Sequence, residues 1–444
     1  MLTPETSRSL AQSAVDRAIA RGADAADAHY ITDRSVAVSV RLGALEDVER
    51  SEGDTLTLRV FIGRRSASVS SSDLSDGALA ALADRAIAMA REASEDRWSG
   101  LAPAERLLHG SPPHLDIDDG ADVSPEALKQ RALVAEEAAR SIAGVTNSEG
   151  GSASASRTIT ALATSHGFAG SYATSSHAIS ASVVAGRAGA LQRDHAHHTT
   201  RHLRLLDAPE DIGRLAGERA VARLSPARIG SATMPVVFDP RVGGSLMGAF
   251  VGAISGTRIA ARTSFLRDAL GQRVFARGVT IRDDPHRPRG LRSRPYDGEG
   301  VGGSPVSIVE DGLLETWLLD SASARQLEME PTGHAAPGGG VSVSNLYMEA
   351  GNVPVESLVA DIERGVWVTE LIGQGVNPVT GDYSRGAAGF LIEKGEVTTP
   401  VAEITVAGNL KDMFARAMPA NDLEFRYGVN VPTLRIDGMT VAGD

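Results

Sequence analysis

The chain is 444 residues long, carries a formal net charge of −12 and contains no cysteine. The missing thiols exclude disulfides, thiolate nucleophiles and sulfur-ligated metal sites. The acidic balance argues against direct nucleic-acid binding, which calls for a basic face. Hydrophobic residues at 42 % and charged residues at 23 % are ordinary for a folded globular protein, and an aromatic content of 4 % leaves the cores to Ala, Val, Leu and Ile.

The first residues, Met1-Leu2-Thr3-Pro4-Glu5, have neither a basic n-region nor an apolar h-region. No apolar run approaches the roughly 18 residues that span a bilayer, so a cytoplasmic protein without membrane association is expected. Thr3 as cap, Pro4 in the first turn and the stripe Leu10, Ala14, Ala18, Ile19 predict a helix ending at Gly22. Alternation at Val36–Leu42 and Leu56–Ile62 predicts two strands, with a turn at Glu52-Gly53-Asp54. A helix follows over 75–93 and a proline-rich acidic loop over 99–123. A third helix opens at Ser124-Pro125 and stops near Gly144. The Ser/Ala/Thr/Gly-rich stretch 145–205 reads as short antiparallel strands, and a helix is expected over 209–224.

Composition then changes. Seventeen of the 47 glycines precede residue 226 and 30 follow it. We therefore expect an α+β fold: an N-terminal α+β domain over 1–225, with a sub-boundary in loop 99–123, and a Gly-rich, mostly β domain over 226–444. In the second domain a buried strand, Met234–Phe238, leads into a helix over 241–254. Further strands are expected near 305–319, 366–372, 387–393, 397–407 and 431–441, with a helix near 354–364.

Four features carry candidate chemistry. Gly298-Glu-Gly-Val-Gly-Gly303 fits GxGxxG formally, but a polar segment precedes it and a strand follows, so it reads as a Gly-rich loop rather than a dinucleotide site. His195, His197, His198 and His202 form a cluster that no single regular element can present to one metal: the first two share a strand face, the last two only a helix face. A loop over 283–300 concentrates Asp284, His286, Arg294, Asp297 and Glu299, a set suited to acid/base work if buried together and equally to tight turns. A second polar loop, 375–389, offers Asn377, Asp382, Tyr383, Ser384 and Arg385 as the lining of a groove.

Ser264-Phe-Leu266, Asp283-Asp-Pro285, Asp297-Gly-Glu-Gly300, Thr380-Gly-Asp-Tyr-Ser-Arg-Gly386, Ala407-Gly-Asn-Leu-Lys-Asp-Met413 and Pro432 to Gly443 together resemble the TldD/PmbA family of metalloproteases, also called modulators of DNA gyrase, in its PmbA (TldE) branch. The resemblance runs through nearly the whole chain and is strongest over 235–443. It implies a heterodimer enclosing a chamber for unfolded or extended peptide. In such a pair the TldD-type subunit holds zinc through HExxxH on a helix after a buried strand, plus a distant Cys. Aligned on that motif, this chain has Met247 and Gly252 where the histidines would be and Gly248 where the glutamate would be. The resemblance therefore implies a chain with no zinc and no catalytic residue of its own, completing the chamber for a zinc-bearing TldD-type partner and helping to bind peptide. Self-pairing as a homodimer in isolation is the alternative assembly, and the sequence does not choose between the two. Two other readings stay open from the residues: an autonomous metallohydrolase using the His195–His202 cluster or the 283–299 carboxylates, and a gyrase-associated binding protein.

Overall fold

The computed structural model describes residues 2–443. The first half is one antiparallel sheet backed by helices. Its elements are α1 (Pro4–Ala20), β1 (Ala25–Arg41), β2 (Ala44–Ile62), β3 (Arg65–Ser71), α2 (Asp76–Glu92), α3 (Pro125–Arg140), β4 (Val145–Thr164), β5 (Ala169–Ala185), β6 (Gln192–Thr200) and α4 (Pro209–Ala222). The strand order is β3-β2-β1-β4-β5-β6. Alternate residues of β1, from Ala26 through Tyr30 to Val40, are buried under the helices, because successive strand side chains point to opposite faces. Asp27 and His29 on the other face are covered instead by the second half of the chain.

Two expectations fail here for identifiable reasons. Glu52-Gly53-Asp54 is not a turn but the interior of β2, paired with Arg34, Asp33 and Thr32. Arg34 binds Glu52 at 2.8 Å and Tyr30 donates to Asp54, so cross-strand pairs hold polar residues that resemble a turn. The reversal lies at Leu42-Gly43, both at positive φ (52° and 79°), as a two-residue hairpin turn requires. The stretch 145–205 forms three strands, two of them long, rather than many short ones. Their small residues are needed where α3 and α4 press on the sheet. The same closeness explains Gly213 in α4, where a Cβ would lie 2.8 Å from the Cβ of Ala138.

The second half contains β7 (Ala232–Phe238), α5 (Pro240–Ala253), α6 (Gly256–Ala260), β8 (Ile281–Asp284), β9 (Val306–Glu310), β10 (Leu313–Leu314), α7 (Ser321–Leu327), β11 (Asn345–Met348), α8 (Val355–Val359), β12 (Arg364–Ile372), β13 (Asp382–Glu393), β14 (Glu396–Asn409), α9 (Leu410–Ala415), β15 (Ala417–Pro419), β16 (Val429–Asn430) and β17 (Leu434–Ala442). One sheet runs β14-β13-β12-β7-β17-β15, and β14 also pairs with β17, so five of its strands close into a ring. The other sheet runs β10-β9-β8-β11-β16. The strand expected over 305–319 is two short ones, broken by Asp311-Gly312 at positive φ, and the helix expected over 354–364 stops early because β12 begins at Arg364. One apolar core joins both sheets to α5. Among the described residues no helix is long and apolar enough to cross a membrane.

Candidate functional site

Asp239 caps α5 by accepting from the Arg241 amide at 3.0 Å, and Pro240 occupies its first turn. Leu246, Met247, Phe250 and Ala253 face the core, at the spacing of one helical stripe. Phe250 meets Phe275 and Phe414 edge-on at 5.1 and 5.8 Å. The opposite stripe, Ser245, Gly248, Ala249 and Gly252, lines a cleft of about 500 Å³. A Cβ built on Gly248 or Gly252 would meet nothing within 4 Å. Helix geometry separates 247 from 252 by more than a third of a turn. Met247 is accordingly wholly buried in the core, so of the three positions aligned with the zinc motif only 248 and 252 open on the cleft.

The far wall comes from the loop after β12 and the start of β13, including Gln374, Tyr383 and Arg385, while Arg258 and Phe265 close one end. Neither Arg258 nor Arg385 forms an ion pair with another described residue. The Tyr383 hydroxyl and Arg385 Nε are both buried without a partner in hydrogen-bond geometry. Burial pushes the Tyr383 hydroxyl up to about 12, against the pull of the neighbouring Arg385 guanidinium. The cleft is thus cationic at its polar end and bare along the helix. Two uncompensated guanidiniums and two glycines do not fit a zinc ion, which needs deprotonated or neutral donor side chains.

Of the residues picked from the 375–389 loop, Tyr383 and Arg385 line this cleft and the others shape the loop. Asn377 Oδ1 accepts from the Val379 amide at 3.0 Å, and Asp382 accepts from Thr380 Oγ1 at 2.6 Å and Asn409 Nδ2 at 3.1 Å. These bonds, from Thr380 first, hold the Asp382 carboxyl below its usual range. Ser384 is exposed, and its amide donates to Gly375.

The 283–299 residues lie elsewhere. None lines the α5 cleft. Asp297 accepts from the amides of Glu299, Val301 and Ala335, each at 2.9 Å, and burial still holds its carboxyl above the usual range. Glu299 accepts from the Ser321 amide at 3.0 Å and from its hydroxyl; burial pushes its carboxyl up to about 7. Arg294 donates to the Ser342 hydroxyl and carbonyl at 2.9 and 2.8 Å, and Asp284 accepts from the His286 amide at 2.9 Å. Tyr296 from this loop packs on Phe168, in the β4–β5 connection, and on Tyr172 of β5, at 4.9 and 5.5 Å. The loop binds the two halves of the chain together.

The histidines disperse. His195 and His197 stack at 5.8 Å on the outer side of β6, His198 Nδ1 lies 3.0 Å from Asp207, and His202 Nε2 lies 2.9 Å from the Asp116 carbonyl. Arg258, Gln374 and Phe265 were not legible as site residues, because only the packing of α6 and the post-β12 loop against α5 brings them together. The Gly248–Gly252 spacing on an apolar helix was the available signal.

This architecture matches known proteins along its length. Residues 26–90, 118–224 and 231–443 match, in turn, domain 1, the central domain and the C-terminal domain of the PmbA/TldA metallopeptidases. The chain is 38 % identical over 444 residues to the metalloprotease PmbA of Escherichia coli O157:H7, covering 99 % of this chain and 97 % of that protein. It is 35 % identical over 413 residues to a PmbA homologue of Haemophilus influenzae, covering 92 % and 90 %. A crystal structure from Bacteroides thetaiotaomicron, described as a modulator of DNA gyrase, superposes with a TM-score of 0.91 at 27 % identity over the whole of both chains. TldE of Thermococcus kodakarensis shares the fold, with a TM-score of 0.87 at 21 % identity over 98 % of this chain and all of that one. The chain belongs to the PmbA/TldD metallopeptidase family.

Proposed function

We propose that this chain is the zinc-free subunit of a cytoplasmic two-subunit metalloprotease, pairing with a TldD-type catalytic subunit and holding unfolded or extended peptide in the α5 cleft. The observation that carries the reading is the bare stripe of α5: where the family's catalytic helix would present a glutamate and a histidine, Gly248 and Gly252 present open space. Among the described residues no group of three or more His, Asp or Glu side chains is placed to hold a metal ion. The loop beside the cleft also exposes Ile372, Val376 and Val379, at 59, 38 and 55 %, an apolar rim suited to a peptide or a partner subunit. Peptide backbone in such a groove binds with little regard to sequence.

The test is zinc analysis and proteolysis of the pure chain, before and after adding a TldD-type subunit. We expect far less than one zinc per chain and cleavage of an unfolded peptide only in the mixture. About one zinc per chain, with cleavage by this chain alone, overturns the proposal.

A further inference from the structure

A second cleft, of about 580 Å³, lies where the two halves of the chain meet, and the peptide-holding reading leaves it unused. Arg193, Arg219, Arg223, Arg241 and Arg426 line it, against the carboxylates of Glu149, Asp194 and Glu370. Four of these arginines already have carboxylate partners: Arg193 has Glu149 at 3.6 Å, and Arg223 has Asp194 and Glu370. Arg241 has Asp194 and Asp239, and Arg426 has Asp207 at 2.6 Å, so Arg219 is the cation left over. Asp194, 4 % exposed, is shared between Arg241 at 2.9 Å and Arg223 at 3.4 Å. Arg219 has no carboxylate within ion-pair distance among the described residues; its guanidinium donates only to the His195 carbonyl, at 3.3 Å. Arg241 Nε is buried without a hydrogen-bond partner. Burial first, and then the Arg241 charge, lowers the proton affinity of Arg219; burial, His195, Arg219 and Arg426 lower that of His197.

The recess continues into the α5 cleft. Arg241, Ser245, Gly248 and Gly252 follow one another at spacings of four, three and four, which is one face of a helix. Arg241 lines the recess and the other three line the cleft. On the opposite wall β12 supplies Thr369–Leu371 to the recess, and the loop after it supplies Gln374–Val376 to the cleft. The distance along the helix from Arg241 to Gly252 is about 16 Å, the reach of about five residues of extended chain.

We infer that the arginine recess receives the carboxylates of an acidic segment of the peptide lying along α5, so that this subunit favours peptides with acidic side chains a few residues from the part held in the cleft. The inference rests on the cleft reading. Guanidinium forks bind carboxylates in pairs of parallel hydrogen bonds, and Arg219 has donors to spare. His195 and His197, at the mouth, add donors where the sequence suggested metal ligands.

The experiment is fluorescence anisotropy of the full chain with two labelled unstructured peptides, identical except that one ends in a block of Glu and the other in Gln. We expect the Glu peptide to bind about tenfold tighter, and Arg219→Gln to shrink that preference to about twofold. Arg385→Gln, in the cleft, should weaken both peptides alike. Equal binding of the two peptides, or a preference untouched by Arg219→Gln, overturns the recess assignment and leaves the cleft standing. Failure of both peptides to bind removes the cleft reading and this inference with it. A single-stranded oligonucleotide displacing the Glu peptide at lower concentration than unlabelled Glu peptide overturns the peptide assignment.

Discussion

Glycine inside a helix costs about 1 kcal/mol relative to alanine, because its backbone loses more freedom on folding. At Gly248 and Gly252 the added methyl group would meet nothing within 4 Å, so no steric term offsets the gain. Gly248→Ala and Gly252→Ala should each stabilise the protein by about 0.5–1 kcal/mol, and the pair by about 1–2 kcal/mol. Gly213→Ala in α4 is the control of opposite sign. There the methyl would crowd the Ala135 carbonyl and sit 2.8 Å from Ala138 Cβ, and we expect a loss of about 1–3 kcal/mol. Urea unfolding followed by far-UV circular dichroism measures all three. Larger side chains separate the structural effect from the functional one. Gly252→Leu should leave stability near the wild type while filling part of the 500 Å³ cleft and weakening peptide binding. Destabilisation by Gly248→Ala and Gly252→Ala would refute the open face, and unchanged peptide binding in Gly252→Leu would remove the cleft from the peptide's path.

Further outcomes follow from the buried polar groups. Burial raises the Glu299 carboxyl from its usual 4.5 to about 7, so the stabilisation its protonated form gives is complete below about 4.5 and is lost as pH rises through 7. The loss is at most about 3 kcal/mol at 1.36 kcal/mol per unit, and Glu299→Gln should flatten the fall in stability measured by unfolding at stepped pH. Asp194→Asn removes the anion that Arg223 and Arg241 share and should cost about 3 kcal/mol in urea unfolding at neutral pH. Tyr383→Phe deletes a hydroxyl with no partner in hydrogen-bond geometry. Its effect on stability should stay within about 0.5 kcal/mol while anisotropy shows weaker peptide binding.

Local signals in the sequence reached the regular elements and stopped at pairing. Thr3-Pro4 and Ser124-Pro125 set their helices in place because cap and first turn are decided within a few residues. The β1–β2 hairpin was misplaced because its polar middle is held by Arg34–Glu52 and Tyr30–Asp54, contacts between strands that only pairing creates. The same limit governed the site. Tyr383 and Arg385 could be named from a polar, Gly-dense loop. Asp297 and Glu299 could be named too, but local composition does not separate a loop that lines a groove from one that joins domains. Arg219, Arg241 and Arg426 come from three distant segments, and each alone reads as a solvated cation.

The glycines of α5 distinguish packing from function. Gly243 is explained by packing, since its Cβ would lie 3.1 Å from Val431, a contact tight enough to favour glycine. Gly248 and Gly252 have no such neighbour, and together they forgo about 1–2 kcal/mol of helix propensity. The core side of the helix does not need them, because Leu246, Met247, Phe250 and Ala253 already fill it. What they preserve is the space itself. It is walled by Tyr383 and Arg385, whose hydroxyl and Nε lack hydrogen-bond partners, and it leads to the arginines where the two halves of the chain meet. On the proposed reading, this bare stripe facing unpaired donors receives a chain that arrives from outside and brings its own acceptors.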